Sequence, residues 1–134
     1  AAREIARLLR FPNAIKLESF SKGRMELVEE RLMDAVGCVS GSSPAFVYMF
    51  IEALADSGVK YGLPRKTAYA MAAQTVLGSA RMVLETGKHP GELKDMVCSP
   101  AGTTIEAVRT LEELGFRSAI IEAMKVCEEI SKSL

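Results

Sequence analysis

"GSSPAFVYMFIEALADSGVKYG", Gly41 to Gly62, decides the fold. Between Pro44 and Leu54 only Glu52 carries a charge, and apolar side chains fall at every angle around a helix. A helix without a polar face has to be covered on all sides. Ser43 reads as its N-cap and Pro44 as its first helical residue, a position that needs no N–H. Gly58 and Gly62 read as the markers of its end.

Working outward, helix periodicity continues in both directions. "LPRKTAYAMAAQTVLGSARMVLETG" opens at Pro64 and closes at Gly87, a natural left-handed residue after a helix. It carries Ala68, Ala72, Thr75 and Ser79 three or four apart, a stripe of small side chains that lets another helix approach closely. "HPGELKDMV" is a short helix entered through Pro90, and "TTIEAVRTLEELG" begins with Thr103 and Glu106 at the spacing of a capping box. "FRSAIIEAMKVCEEISKSL" places Ile120, Ala123, Met124 and Cys127 on one stripe. Toward the N-terminus, "MELVEERLMDAV" turns Leu27, Val28, Leu32 and Val36 inward. "AREIARLLR" groups Ile5, Leu8 and Leu9 before Pro12-Asn13 breaks it. No segment alternates as a half-buried strand does, so the expected fold is all-α. One small domain has few ways to surround two central helices, which points to a homo-oligomer. The alternative is a monomer wrapped by its own terminal helices.

The 134 residues suffice for one domain with a core, and a composition 49% hydrophobic and 25% charged is that of a globular protein. Seventeen basic residues balance seventeen acidic ones, so no net field attracts nucleic acid or an anionic membrane. Cys38, Cys98 and Cys127 are far apart and the chain has one histidine, His89. Neither a zinc site nor a disulfide framework is implied. With reduced thiols as the default, no signal-peptide pattern and no apolar run that reads as long enough to span a bilayer, a cytoplasmic domain is expected.

Few residues offer chemistry. There is no Gly-rich dinucleotide loop after a strand, no P-loop, and no partner set for a nucleophilic triad. His89, in "KHPG", reads as an exposed loop histidine. Glu52 and Asp56, one turn apart, are either an acid–base pair or the one edge of an apolar helix that meets solvent or a basic group. "CSPAGTT", Cys98 to Thr104, stands between two helices. It is either a capped turn or an anion cradle. Helix N-termini present unpaired N–H groups and the positive end of a dipole. Ala101 and Gly102 add little bulk, while Ser99, Thr103 and Thr104 add hydroxyls.

Three stretches carry a resemblance: "DAVGCVSGSSPAFVYMFIEALADSGVKYGLPR", "AAQTVLGSARMVLETGKHPGELKDMVCSPAGTTIEAV" and "LEELGFRSAIIEAM". They closely resemble the C-terminal domain of pyrroline-5-carboxylate reductases, from about Leu17 to the end of the chain. The family usually shows S-G-S-G-P-A where this chain has Ser40-Gly41-Ser42-Ser43-Pro44-Ala45. It shows S-P-G-G-T-T or S-P-G-G-A-T where this chain has Ser99 to Thr104. The resemblance implies a helical domain over residues 17–134 that dimerises by intertwining helices, with higher oligomers open. Residues 1–16 are left as an N-terminal helix outside it. It implies the substrate-binding half of an NADH- or NADPH-dependent reductase that makes L-proline from 1-pyrroline-5-carboxylate. The substrate carboxylate would be held through Ser99 and the N–H groups near Gly102, Thr103 and Thr104. The Thr104 hydroxyl would approach the ring nitrogen as the catalytic group. This chain lacks the Rossmann domain of the full enzyme, so by itself it is expected to bind no cofactor and to be inactive. The alternative is a helical homodimerisation module with no catalytic role. Ala101 stands where the family has Gly, a substitution that strains the loop wherever the position needs positive φ.

Overall fold

The computed structural model describes residues 30–131, with side chains from Asp34 onward. The expected first helix with Ile5, Leu8 and Leu9, and the positions Leu27 and Val28, lie outside the described residues. The helices are α1 (Glu30–Gly37), α2 (Ser43–Lys60), α3 (Arg65–Thr86), α4 (Pro90–Val97), α5 (Thr103–Glu113) and α6 (Phe116–Ser131). A π-helical turn, Cys38–Ser42, joins α1 to α2. The described residues contain no strand, and the all-α expectation holds.

Ser43 does not cap a helix start. Gly37 (φ −59°, ψ −44°) and Ser43 (φ −62°, ψ −23°) are both helical, so α1, the π-turn and α2 form one uninterrupted run. A proline inside a helix removes one donor and crowds the carbonyl four residues before it. The π-turn sits immediately upstream of Pro44, where the widened ring relaxes that conflict. The Ser43 N–H donates to the Cys38 carbonyl, a five-residue step, and the Ser43 hydroxyl donates to the same oxygen at 3.1 Å. Because the helix continues through Ser43, a second expectation also fails. The helical run Asp34–Lys60 is long and apolar enough to cross a membrane, by length and composition alone.

The chain divides into two compact units, Ala1–Phe46 with Ile120–Leu134, and Val47–Ala119. In the first, residues from the α1 end and π-turn meet the last turns of α6. Cys38 is 2% exposed, the Ser43 hydroxyl reaches Met124 Sδ at 3.4 Å, and the Ser131 hydroxyl donates to Asp34 Oδ1 at 2.8 Å. Met124, Cys127 and Ala123 are half-buried, as their shared stripe predicts, whereas Ile120 and Val36 are exposed in the single chain.

In the second unit the core is built from small side chains. Ala55, Ala68 and Ala72 are buried, with Ile51 and Val59 packed against them. Gly58 lies inside α2 rather than at its end, and a Cβ there would stand 3.1 Å from Leu63 Cδ1 and 3.5 Å from Ala68 Cβ. That missing methyl and the two alanines bring α2 and α3 together. Of the expected small-residue stripe, Thr75 and Ser79 are exposed and donate back to the carbonyls of Met71 and Thr75 at 2.8 and 2.9 Å. Gly62 (φ +99°) carries the turn after α2, and Gly87 (φ +66°) ends α3 as expected. Phe50 and Phe116 meet with ring centroids 6.0 Å apart.

Among the described residues, much of the apolar helix is left uncovered. Tyr48 is 58% exposed and Met49 68%, with Val47, Phe50 and Leu54 also exposed. Such a contiguous apolar face marks an interaction surface.

Candidate carboxylate-binding turn

α4 ends at Val97 and α5 starts at Thr103, and the intervening residues form a tight turn. The Gly102 N–H donates to the Ser99 carbonyl at 3.0 Å. Pro100 supplies a fixed φ at the second position and Ala101, φ +57°, stands at the third, the pattern of a type II turn. Ala101 is the only non-glycine residue with positive φ among the described residues. Backbone geometry therefore accounts for the glycine that the resemblance implies at that position, and Ala101 carries a steric cost of about 1–2 kcal/mol.

Gly102 is extended (φ −80°, ψ 166°) and is itself the N-cap of α5. The expected capping box is thus displaced: Thr103 is already helical, and no side chain caps the helix. The turn sets the boundary, because the residue after Ala101 is the one that enters the extended region a cap requires. Glu106 does not reach back but accepts from Arg109 Nε at 3.1 Å. The N–H groups of the first turn of α5 therefore have no side-chain acceptor, and they converge at the positive end of the helix.

Ser99 is placed by the absence of a side chain on Gly102. A Cβ there would lie 2.4 Å from Ser99 Oγ and 3.1 Å from its carbonyl oxygen. The hydroxyl rests on the bare Cα of the residue that caps α5. Ser99 and Thr103 are exposed, and Gly102 and Thr104 half-buried. Ser99, Gly102, Thr103 and Thr104, the four residues expected from sequence, fall within one turn and the helix start that follows it.

The charged neighbours are basic and acidic in pairs. The Lys94 ammonium is held above its ordinary value, chiefly by its hydrogen bond to Asp95 at 2.6 Å, while the Arg117 charge pulls it the other way. Arg117 donates to Glu112 at 2.6 Å. Asp56, one of the two carboxylates considered for acid–base work, accepts from Arg65, and Arg65 also lies over the Tyr69 ring. That favours an edge that meets a basic group over an acid–base pair. His89 is exposed as expected, and it also caps α4, its Nδ1 accepting from the Gly91 N–H at 3.0 Å. The H-P-G order carries that signal, since a ring nitrogen before Pro at the first helical position can reach the next free N–H.

Sequence reasoning missed the seam of the first unit. Ser42, Ser43, Met124 and Cys127 meet there, with Cys127 donating to Ser42 Oγ at 3.1 Å. The missing signal is the continuation of the helix through Pro44, which turns Ser43 from a cap into a packed side chain.

Comparison with known proteins identifies the family of the chain. The family described as pyrroline-5-carboxylate reductase dimerisation matches residues 30–134. The pyrroline-5-carboxylate reductase of Escherichia coli is 64% identical over 112 residues, covering 84% of this chain and 42% of that protein. The Methanosarcina acetivorans enzyme is 57% identical over 119 residues, with 88% and 44% covered. The crystal structure of the Plasmodium falciparum pyrroline carboxylate reductase with NADP bound superposes at a TM-score of 0.76 and 38% identity. That match covers 79% of this chain and 40% of the other. The chain thus spans about two fifths of the length of these relatives. With most of its length matched by the family and relatives more than half identical, this chain belongs to the pyrroline-5-carboxylate reductase dimerisation family.

Proposed function

We propose that this chain is the homodimerising, substrate-binding part of a reductase that converts 1-pyrroline-5-carboxylate to L-proline with NADH or NADPH. The turn Ser99 to Thr104 is its carboxylate cradle. One observation carries the site: the bare Cα of Gly102 seats Ser99 Oγ beside the side-chain-free cap of α5. In this reading the substrate carboxylate accepts from the N–H groups at the start of α5 and from the Ser99 hydroxyl. Oriented donors of this kind fix an anion and position the ring for reaction. The Thr104 hydroxyl then stands at the ring nitrogen, where a proton is held as the imine is reduced. The nicotinamide supplies the hydride. No further step is assigned to the described residues, which contain no strand.

The exposed apolar face of α2 supports the homodimer. A largely apolar helix face that the described residues leave open is stable once a second copy covers it. A second reading, assembly alone, is favoured by Ala101, whose strained φ can reshape the cradle.

Titration of isotope-labelled chain with L-proline, followed by NMR, separates the two. Substrate binding predicts saturable shifts confined to the amides of Ser99, Gly102, Thr103 and Thr104. Thr104→Ala then weakens binding by roughly 0.5–1.5 kcal/mol without loss of helix signal. Absence of shifts at high millimolar proline overturns the cradle and leaves the assembly reading.

A further inference from the structure

The seam of the first unit holds two cysteines that the proposed reaction does not use. Cys38 opens the π-turn and is 2% exposed, while Cys127 lies on α6 and is half-buried. The Cys127 thiol donates to Ser42 Oγ at 3.1 Å, and Ser42 closes the same π-turn that Cys38 opens. Cys38 and Ser42 stand four residues apart in one π-turn and share a face, so the stretch of α6 that brings Cys127 to Ser42 also brings it toward Cys38. Contacts on both sides pin them: Ser43 Oγ bonds the Cys38 carbonyl and Met124 Sδ, and Ser131 Oγ bonds Asp34. The third cysteine, Cys98, belongs to the other unit.

We propose that Cys38 and Cys127 are a redox pair that closes to a reversible disulfide when the chain meets a peroxide. Cys127 is the attacking sulfur and Cys38 the resolving one. The Cys127 thiolate attacks one peroxide oxygen, the O–O bond breaks, and hydroxide leaves to take a proton as water. Cys127 is now a sulfenic acid. The Cys38 sulfur attacks it, the S–O bond breaks, and the Cys38 proton leaves with that oxygen as a second water. Two thiols are oxidised and one peroxide is reduced. A dithiol reductant reverses the bond by exchange.

The division of roles follows from the surroundings. Its hydrogen-bonding neighbours, Ser42 first and then Cys38, shift the Cys127 thiol below its ordinary value, so the more exposed sulfur is also the more readily ionised. Cys38 is pushed up to about 11, first by its hydrogen bond to Cys127, then by burial, with Asp34 and Glu128 adding negative charge nearby. The buried, harder-to-ionise Cys38 is the less reactive sulfur toward peroxide itself, and it attacks the sulfenic acid as the thiolate formed when its proton passes to the departing oxygen.

The test exposes the purified chain to hydrogen peroxide and reads intact mass, then maps peptides without reduction. The expected product is one chain lighter by about 2 Da, two hydrogens, with a Cys38–Cys127 cross-linked peptide and Cys98 still free. Dithiothreitol restores the mass, and the oxidised chain melts at a higher temperature. Cys38→Ser leaves a dimedone-reactive sulfenic acid on Cys127. The wild-type map needs no variant to fold, so it decides by itself. Stable sulfenic or sulfinic acid on Cys127 beside a free Cys38 overturns the proposal. So does a bridge through Cys98, or a disulfide joining two chains.

Discussion

Ser43-Pro44 lies inside a continuous helical run, whereas Ser99-Pro100 begins the turn that separates α4 from α5. Both segments carry the residues that open a helix. What differs is the chain around them. Before Ser43 the sequence is already helical, and a π-turn accommodates the proline, giving the Ser43 N–H and hydroxyl a shared acceptor in the Cys38 carbonyl. After Pro100, Ala101 takes positive φ and Gly102 becomes an extended cap with no side chain. The first segment builds a packed seam, and the second leaves backbone donors open. A proline therefore states what its own residue cannot do, and its neighbours decide which structure results.

The contrast breaks most visibly at the two prolines. Pro44→Ala restores a donor within a helix, and thermal or urea unfolding should show a gain of about 1–3 kcal/mol. A neutral or destabilising result would return Ser43 to the role of N-cap. Ala101→Gly comes next. It removes the left-handed strain and should stabilise by about 1 kcal/mol, tightening proline binding by the same route if the cradle works. Pro100→Ala should act in the opposite sense to Pro44→Ala, costing about 0.4–1 kcal/mol as the unfolded chain gains freedom.

The smallest effect is the alkaline behaviour of the seam. Cys38 ionises at about 11 in the folded chain against an ordinary 9.0. The unfolded chain releases that proton first, so the folded state binds more protons between about pH 9 and 11. Stability attributable to Cys38 therefore falls as pH rises through that window. Cys127, lowered by Ser42 and Cys38, acts in the other sense below about pH 9. Melting curves of the chain and of Cys38→Ala should converge as the pH approaches about 11. Parallel curves would mean that Cys38 does not titrate differently on folding.

Much of this is legible from residue types. Helix periodicity points to the all-α class, Gly87 to its left-handed helix end, and the Pro44–Leu54 run to its need for a cover. Ser99, Gly102, Thr103 and Thr104 stand together as site candidates, and the structure gathers them at one turn. The expectations that fail share a cause. Thr103 as cap, Gly58 as helix end and the break at Ser43 each rest on a local signal, and each boundary is set by residues beyond it. The length of the Asp34–Lys60 run is hidden for the same reason. The cysteine seam is out of reach, because nothing local to Ser42 or Cys127 says that α6 returns to the π-turn.

The apolar face of α2 carries the central claim, that a second copy of this chain covers what the described residues leave open. Light scattering on the gel-filtered chain at micromolar concentration tests it most directly. A mass about twice the 14.5 kDa of the chain is the predicted result. A single species of 14.5 kDa across that range would contradict it.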